Sequence, residues 1–260
     1  VSANLSPPTF LSGALAVTAR NLRIWRSMAL ASVLGNFGEP ILYLLAMGFG
    51  LGRVVPPLDG MTYAEFIAPG LVVSTVMYTA TFEMTYGAYT RMSEQGVWDA
   101  ILATPVTPYE LCLGELIYAG IKSMLGAFAV LLVVTAFGLV ASPLALFALP
   151  LGFLGGVMFA AMALAVTTVS RSYEAFNYYF TLVVAPMFLF SGIFFPLDGS
   201  PRWVWLFAQA LPLTHFVEVS RGLLRGKLGV ETALHAAALT GLITVSVGLA
   251  AVGMRRRLVH

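Results

Sequence analysis

Residues 143–169 form an apolar run without one charged side chain, and residues 175–197 form a second. As an α-helix the first run would extend roughly 40 Å. A bilayer core is about 30 Å thick and needs about 20 apolar residues per crossing. Helices that are apolar all round are buried in a large core or in a membrane. The composition decides between these. Hydrophobic residues make up 59% of the 260, charged residues 10%, and the mean hydropathy is +0.88. Soluble domains carry roughly 25% charged residues, so a soluble enzyme is excluded. Disorder, which needs low hydrophobicity and high charge, is excluded as well. The single cysteine, Cys112, excludes a disulfide scaffold. Continuous rather than alternating runs exclude a transmembrane β-barrel. A net charge of +2, from 14 basic and 12 acidic residues, gives nucleic-acid binding no support.

The same length criterion predicts six spans, over 28–52, 66–90, 111–141, 143–169, 175–197 and 232–254. The apolar stretch 203–217 is too short to cross and contains Pro212. It follows a strong turn signal at Phe195-Pro196-Leu197-Asp198-Gly199, which predicts a re-entrant element over 198–217 and a polar stretch from 218 to 231. The expected fold is an all-α polytopic membrane protein, one domain over 1–260. It has six transmembrane helices, an N-terminal interfacial amphipathic helix, and a re-entrant helical hairpin between helices five and six. No cleavable signal peptide is expected, because the first long apolar run starts late and is long for one. Arg20, Arg23, Arg26, Arg91, Arg171 and Arg255 to Arg257 fall on the side of both termini, which makes that side cytoplasmic. Arg53, Arg202, Arg221, Arg225 and Lys227 oppose this from the other side.

Before the first span, residues 9–26 place Leu11, Leu15, Leu22 and Trp25 on one helical stripe with Thr18 between them and Arg20 opposite. Pro7-Pro8 suits the helix start. Such a basic amphipathic helix lies in the cytoplasmic interface, as a flank for span one or as a contact for a partner. The longest cytoplasmic connection, 91–108, holds a helix-competent piece near 96–103, stopped by Pro105. It presents Val97, Trp98, Ile101 and Leu102. Exposed apolar residues on a short helix mark a docking site, although Trp98 also suits an interfacial belt.

Residues 91–102, from Arg91 through Gly96-Val97-Trp98-Asp99 to Leu102, resemble the cytoplasmic motif of the type-2 ABC exporter permeases. The continuation Leu111-Cys112-Leu113-Gly114-Glu115-Leu116, with Lys122 beyond, is similar to the NodJ-type branch, which exports lipo-chitooligosaccharides. Further similar patches are 185–198, Leu211-Pro212-Leu213-Thr214-His215-Phe216 followed by Arg221, and Glu39-Pro40-Ile41-Leu42-Tyr43-Leu44 leading to 48–52. The four patches occur in family order across most of the chain. The resemblance implies the permease half of an ATP-driven exporter in the bacterial inner membrane, with both termini cytoplasmic. It implies a coupling helix over 92–104 and a homodimer paired with two copies of a separate ABC ATPase, which would bind the ATP and Mg. No G-x-x-x-x-G-K-[ST] loop is present here: the stretch from Gly222 to Lys227 has the wrong spacing. This chain is therefore expected to bind no cofactor and to be no enzyme. On that reading Trp98 would fill a groove on the ATPase as a buried aromatic anchor, flanked by Val97, Ile101 and Leu102. Glu94 and Asp99 would pair with basic rim residues.

Glu83, Glu115 and Lys122 are charges at membrane depth, where they are costly and functional by default. Glu115 and Lys122 share a helical face and can pair with Glu83 or Arg91, as an ion-pair cluster holding the coupling region. Tyr78, Phe82 and Tyr86, with Tyr89, form a stripe; Tyr179 and Phe188 lie on the following apolar run. Sugar rings stack on aromatics and acyl chains need apolar walls, so Tyr78, Phe82, Tyr86, Tyr179 and Phe188 are substrate-path candidates for a lipid-linked or lipo-oligosaccharide cargo. Ordinary helix packing is the competing reading, and a hydrophobic drug the competing cargo. Gly152 with Gly156, and Gly48 with Gly52, allow close helix approach. His215 and His235 stand isolated, without metal-ligand spacing. No catalytic group is seen, because Cys112 and the histidines do not converge in sequence. No internal repeat supports a secondary transporter.

Overall fold

The computed structural model describes residues 10–58 and 60–258, without the side chains of Phe10, residues 32–37 and Glu39. The expected helix start at Pro7-Pro8, Thr9 and the Glu39 side chain lie outside the described residues. The fold is nearly all helical, in the order α1 (Phe10–Trp25), α2 (Ala29–Tyr43), α3 (Tyr63–Phe82), α4 (Val97–Leu102), α5 (Pro108–Ala136), α6 (Ala148–Val169), α7 (Glu174–Tyr179), α8 (Ala185–Phe190), α9 (Arg202–Ala210), α10 (Pro212–Arg225) and α11 (Val230–Leu258). Among the described residues four continuous helical stretches are long and apolar enough to cross a membrane: Tyr63–Glu94, Pro108–Ala136, Pro143–Val169 and Val230–Leu258. The first and fifth expected spans contain shorter apolar helices, Pro40–Arg53 and Glu174–Phe190. The chain is a multi-pass helical membrane protein.

Local chemistry sets the boundaries. Thr62 and Glu65 form a capping box that starts α3, and Thr107 and Glu110 form another that starts α5, with Pro108 in its first turn. Each cap is worth about 1 kcal/mol. The T-x-x-E pattern carried both starts, which fall earlier than the expected 66 and 111. The expected end of span three at 141 is corrected to Ala136, because Phe137 leaves helical geometry and Gly138 turns at φ 72°. Past Phe82 the helix of α3 continues to Glu94 through two widened (π) turns, Glu83–Gly87 and Thr90–Glu94. Gly96, at φ 59°, then breaks the helix, so the short helix expected over 92–104 is Val97–Leu102. Span five stops at Phe190 rather than 197, with Gly192 at φ 74° just beyond it. The hairpin is the helix pair α9 and α10. Its second helix runs beyond 217 to Arg225 and is capped by Gly226 at φ 72°. The expected polar stretch from 218 is therefore helical, because Val219, Ser220, Leu223 and Leu224 face inward.

Helices α3, α5 and α6 pack together at the centre. The close approach rests on small residues, since membrane interiors offer little hydrophobic drive between helices. A Cβ added at Gly156 would lie 2.6 Å from the Ser123 Cβ, and one at Gly152 would lie 3.0 Å from the Ala127 Cβ. The Gly152–Gly156 pair thus seats α6 on α5 within one chain. Gly48 and Gly52 likewise face Ala64 and Tyr63. Helix α1 lies against the first turns of α5 through Ala14, Val17, Thr18 and Asn21, all buried. The Thr18 hydroxyl donates to the Gly114 carbonyl at 3.0 Å. This corrects the expected stripe. Leu22 and Trp25 pack on the core, but Leu11 and Leu15 are exposed, because the tight seat beside Gly114 admits only small side chains.

The bundle therefore has two chemically different ends. Helix α4 and the C-terminal turns of α11 share one end, where Arg255 donates to the Tyr109 hydroxyl at 3.4 Å. The α9–α10 hairpin sits at the other and is pinned to α3. Ser220 donates to the Pro69 carbonyl at 3.3 Å, and the Arg221 guanidinium lies 4.5 Å from the Phe66 ring centre.

Candidate coupling site

A chain of five side chains runs from α4 into the bundle. The Trp98 indole N–H donates to Glu115 Oε1 at 3.1 Å. Arg91 grips the same carboxylate as a fork, with Nε to Oε1 at 3.1 Å and Nη2 to Oε2 at 2.6 Å. Its remaining nitrogen, Nη1, donates to Glu83 Oε1 at 2.7 Å. Lys122 closes the chain on Glu83 Oε2 at 2.6 Å. The three helical pieces thus interlock: the α3 stretch gives Glu83 and Arg91, α5 gives Glu115 and Lys122, and α4 gives Trp98. Two carboxylates face two cations, so the cluster is neutral. Glu115 is fully buried, and the other three charged side chains are at most 18% exposed. Opening such a pair by removing one partner costs about 3–5 kcal/mol, because the other charge is left buried.

Gly87 makes the cluster possible. Glu83 and Arg91 are eight residues apart on one helical stretch, and their side chains meet over the turn between them. A Cβ at Gly87 would lie 2.6 Å from Glu83 Oε1 and 3.2 Å from Arg91 Nη1. Both widened turns flank this spot, as π-turns often do at functional sites. The spacing Glu83-x-x-x-Gly87-x-x-x-Arg91 is the sequence signal for the pairing, with Gly87 leaving the room it needs.

The position of Trp98 corrects one expectation. It is 0% exposed and bonded inward, so it has no free face to insert into a partner. A six-residue helix pressed against α5 buries its largest apolar side chain on its own bundle. Val97, Ile101 and Leu102 are half-buried, whereas Glu94, Asp99 and Ala100 are exposed. Between α4 and α1 lies an apolar groove of about 360 Å³, lined by Val17 and Arg20 on one wall and Val97, Ala100 and Ile101 on the other.

The aromatic stripe forms a ladder with the segment after α6. Phe82 lies 6.5 Å from Tyr78 and 5.8 Å from Tyr86 between ring centres, and 4.5 Å from Phe180. Tyr86 meets Phe176 at 5.3 Å, and Tyr78 meets Phe188 at 5.5 Å. Phe82 stays 50% exposed, whereas Tyr179 and Phe188 are buried. Tyr179 turns away from the stripe and approaches only the ring of Phe180 among the described residues. Tyr173, Phe176 and Phe180 take the place expected for it.

The histidines are not isolated. His215 on α10 and His235 on α11 bring their Nδ1 atoms to 2.7 Å, and His215 Nε2 lies 3.1 Å from the Gln209 carbonyl. A carbonyl only accepts, so His215 carries its proton on Nε2 and accepts from His235 through Nδ1. Twenty residues of separation hid the pairing. Among the described residues no group of three or more His, Cys, Asp or Glu is placed to hold a metal ion.

The ABC-2 type transporter family profile matches residues 13–224, from α1 through α10. The chain belongs to that family. Nodulation protein J of Rhizobium meliloti (strain 1021) is 38% identical over 244 residues, 94% of this chain and 93% of that protein. Nodulation protein J of Rhizobium leguminosarum bv. viciae is 36% identical over 246 residues, 95% of each. The Probable multidrug ABC transporter permease YbhR of Escherichia coli (strain K12) is 26% identical over 204 residues, 78% of this chain and 54% of that protein. For this ABC-2 family chain the matched region contains both the charged cluster and the hairpin.

Proposed function

We propose that this chain is the permease subunit of an ATP-driven exporter, working as a homodimer with two copies of a separate ABC ATPase. It resides in the bacterial inner membrane with six crossings and both termini cytoplasmic, so that α4 faces the cytoplasm and the α9–α10 hairpin is the re-entrant element on the outer side. The observation that carries the reading is the bonded path from Trp98 to Lys122, which ties a short helix at one end of the bundle to two long apolar helices. An ATPase seated on the α1–α4 groove would meet Val97, Ala100 and Ile101, with Glu94 and Asp99 on the rim. Any displacement of α4 would be handed through Glu115 and Arg91 to α3 and α5. Trp98 acts in this scheme as a positioning residue.

The proposed cargo is a lipid-linked or lipo-oligosaccharide, taken from the cytoplasm or inner leaflet. Its support is the similarity to Nodulation protein J over nearly the whole chain and the half-exposed aromatic ladder around Phe82, which a second permease copy would enclose. The YbhR similarity favours a hydrophobic drug as the second reading. The test is affinity purification in mild detergent followed by mass spectrometry. An ATPase subunit near one-to-one is expected, and Ile101→Asp together with Ala100→Arg should remove it while the permease stays folded. Absence of any ATPase under conditions that preserve comparable complexes would overturn the proposal. Drug extrusion without oligosaccharide export would select the second cargo.

A further inference from the structure

We propose that the end of the bundle opposite α4 carries a binding site for an uncharged, polyhydroxylated headgroup, a short oligosaccharide, between the α9–α10 hairpin and α11. A cavity of about 590 Å³ opens there, within the roughly 300–1,000 Å³ usual for ligand sites. Its lining has the mixture that sugars require. Trp205, 43% exposed, offers an indole face on which the C–H face of a sugar ring can stack. Asp198, Glu218 and Glu231 are acceptors for hydroxyl groups, and Gln209 supplies both a donor and an acceptor. The tautomers fixed above leave His235 Nε2 as one more acceptor on the lining.

The charge balance selects against an anion. Three carboxylates line the cavity against two guanidiniums, Arg221 and Arg225. Arg221 is already committed, to the Glu218 carboxylate and to the Gly192 carbonyl at 2.8 Å. It holds the hairpin to the segment after α8 and fixes Glu218 in place. That same segment carries the polar–apolar junction an amphiphile needs. Pro196 and Leu197 line the polar cavity, whereas the preceding Phe194 and Phe195 line an apolar groove of about 350 Å³ with Tyr43 and Phe190. A headgroup in the cavity thus leaves its acyl chain beside the groove, toward lipid.

This site rests on the exporter reading for its role, but its binding is measured separately. The purified permease, in detergent and with its ATPase where one co-purifies, is titrated with the tetramer of β-1,4-linked N-acetylglucosamine and with cellotetraose. Tryptophan fluorescence and calorimetry report binding. Saturable binding of a tetramer is expected. Trp205→Ala should weaken it at least tenfold and Glu231→Gln severalfold, while Trp203→Ala, an exposed indole outside the lining, leaves it unchanged. Absence of saturable binding to either tetramer by a complex that assembles and hydrolyses ATP would overturn the site and leave the exporter standing. Binding insensitive to Trp205→Ala, or inorganic phosphate bound in place of the sugars, would overturn it too. Tetramer bound through Trp205 by a permease that pairs with no ATPase would keep the site and overturn the exporter.

Discussion

Replacing Trp98 separates the two roles a tryptophan on the short helix α4 can have. Its side chain is fully buried and its N–H reaches Glu115 at 3.1 Å. Trp98→Ala removes the ring from a packed site, which costs about 3–5 kcal/mol. Trp98→Phe keeps most of the apolar volume and removes only the bond to a charged acceptor, worth about 1.5–3 kcal/mol. Glu115 keeps its two bonds from Arg91 in either variant, so the cluster loosens at one end rather than collapsing. With roughly 2–4 °C of Tm per kcal/mol for a chain near this size, Trp98→Ala should melt on the order of 10 °C lower and Trp98→Phe about half as far. Thermal unfolding in detergent, followed by fluorescence or by size-exclusion of the heated sample, reads this directly. Any co-purifying ATPase should remain with Trp98→Phe at 4 °C, because the exposed face of α4 is untouched. An unchanged Tm combined with loss of the ATPase would refute this reasoning and return Trp98 to the role of an intersubunit anchor.

The rest of the cluster makes sharper demands. Glu83→Gln strands Lys122 and one arm of Arg91, and should destabilise by about 3–5 kcal/mol; adding Lys122→Met should recover part of the loss, read as a non-additive double-mutant cycle. Gly87→Ala, harmless on an ordinary helix, should cost about 1–3 kcal/mol here through overpacking against the Glu83–Arg91 pair, and should add nothing to Glu83→Ala when thermal unfolding is compared. At the other end, burial and the neighbouring His235 hold the His215 pKa below 6.5. As pH falls below 6.5, the undocked hairpin takes up a proton that the docked one refuses, so hairpin docking is fully stable above that value and weakens below it. Protease sensitivity of the hairpin should rise between pH 6.5 and 5 in the native chain and lose that slope in His215→Gln.

Much of this architecture is legible in the residues. Apolar runs are long-range in length but local in rule, so spans such as 143–169 follow from counting. Glu115 and Lys122 lie seven apart and share a face whatever the tertiary fold, which is why their pairing with the end of α3 can be foreseen. What escapes is orientation about a helix axis. Val97 to Leu102 is too short for a periodic pattern to say which face is buried, and Trp98, which the family resemblance places in a groove of an ATPase, points in. The stripe in α1 fails for a related reason: leucines mark the buried face of a soluble helix, but against Gly114 the buried face must be the small one, and in lipid the leucines are at home outside. Tyr179 and Phe180 are neighbours on one helical stretch and point to different sides, and Phe180 takes the side that meets Phe82 and Tyr86. The His215–His235 contact joins two helices across a turn whose geometry no local signal specifies.

The buried cluster is better understood as a device for register than for stability. Replacing a buried ion pair by well-packed apolar residues is often neutral or stabilising, so five polar groups at this depth are a poor way to hold α3 to α5. They differ from an apolar seam in their tolerance of displacement. Dispersion contacts between smooth side chains change little over a small sliding motion, whereas charge-assisted bonds of 2.6–2.7 Å are lost over the same distance. Helices joined in this way move together or not at all. Under the exporter reading that is the property a short cytoplasmic helix needs, since a push on α4 dissipated as slip along α5 would never reach the ladder of Tyr78, Phe82 and Tyr86 that brackets Glu83 on the α3 side. The apolar variant Glu83→Leu, Arg91→Met, Glu115→Leu and Lys122→Leu, which removes both charge links between α3 and α5, tests this: it should match or exceed the parent in thermal stability while ATP hydrolysis becomes uncoupled from transport in reconstituted vesicles. Full coupling in that variant would show that packing alone carries the motion.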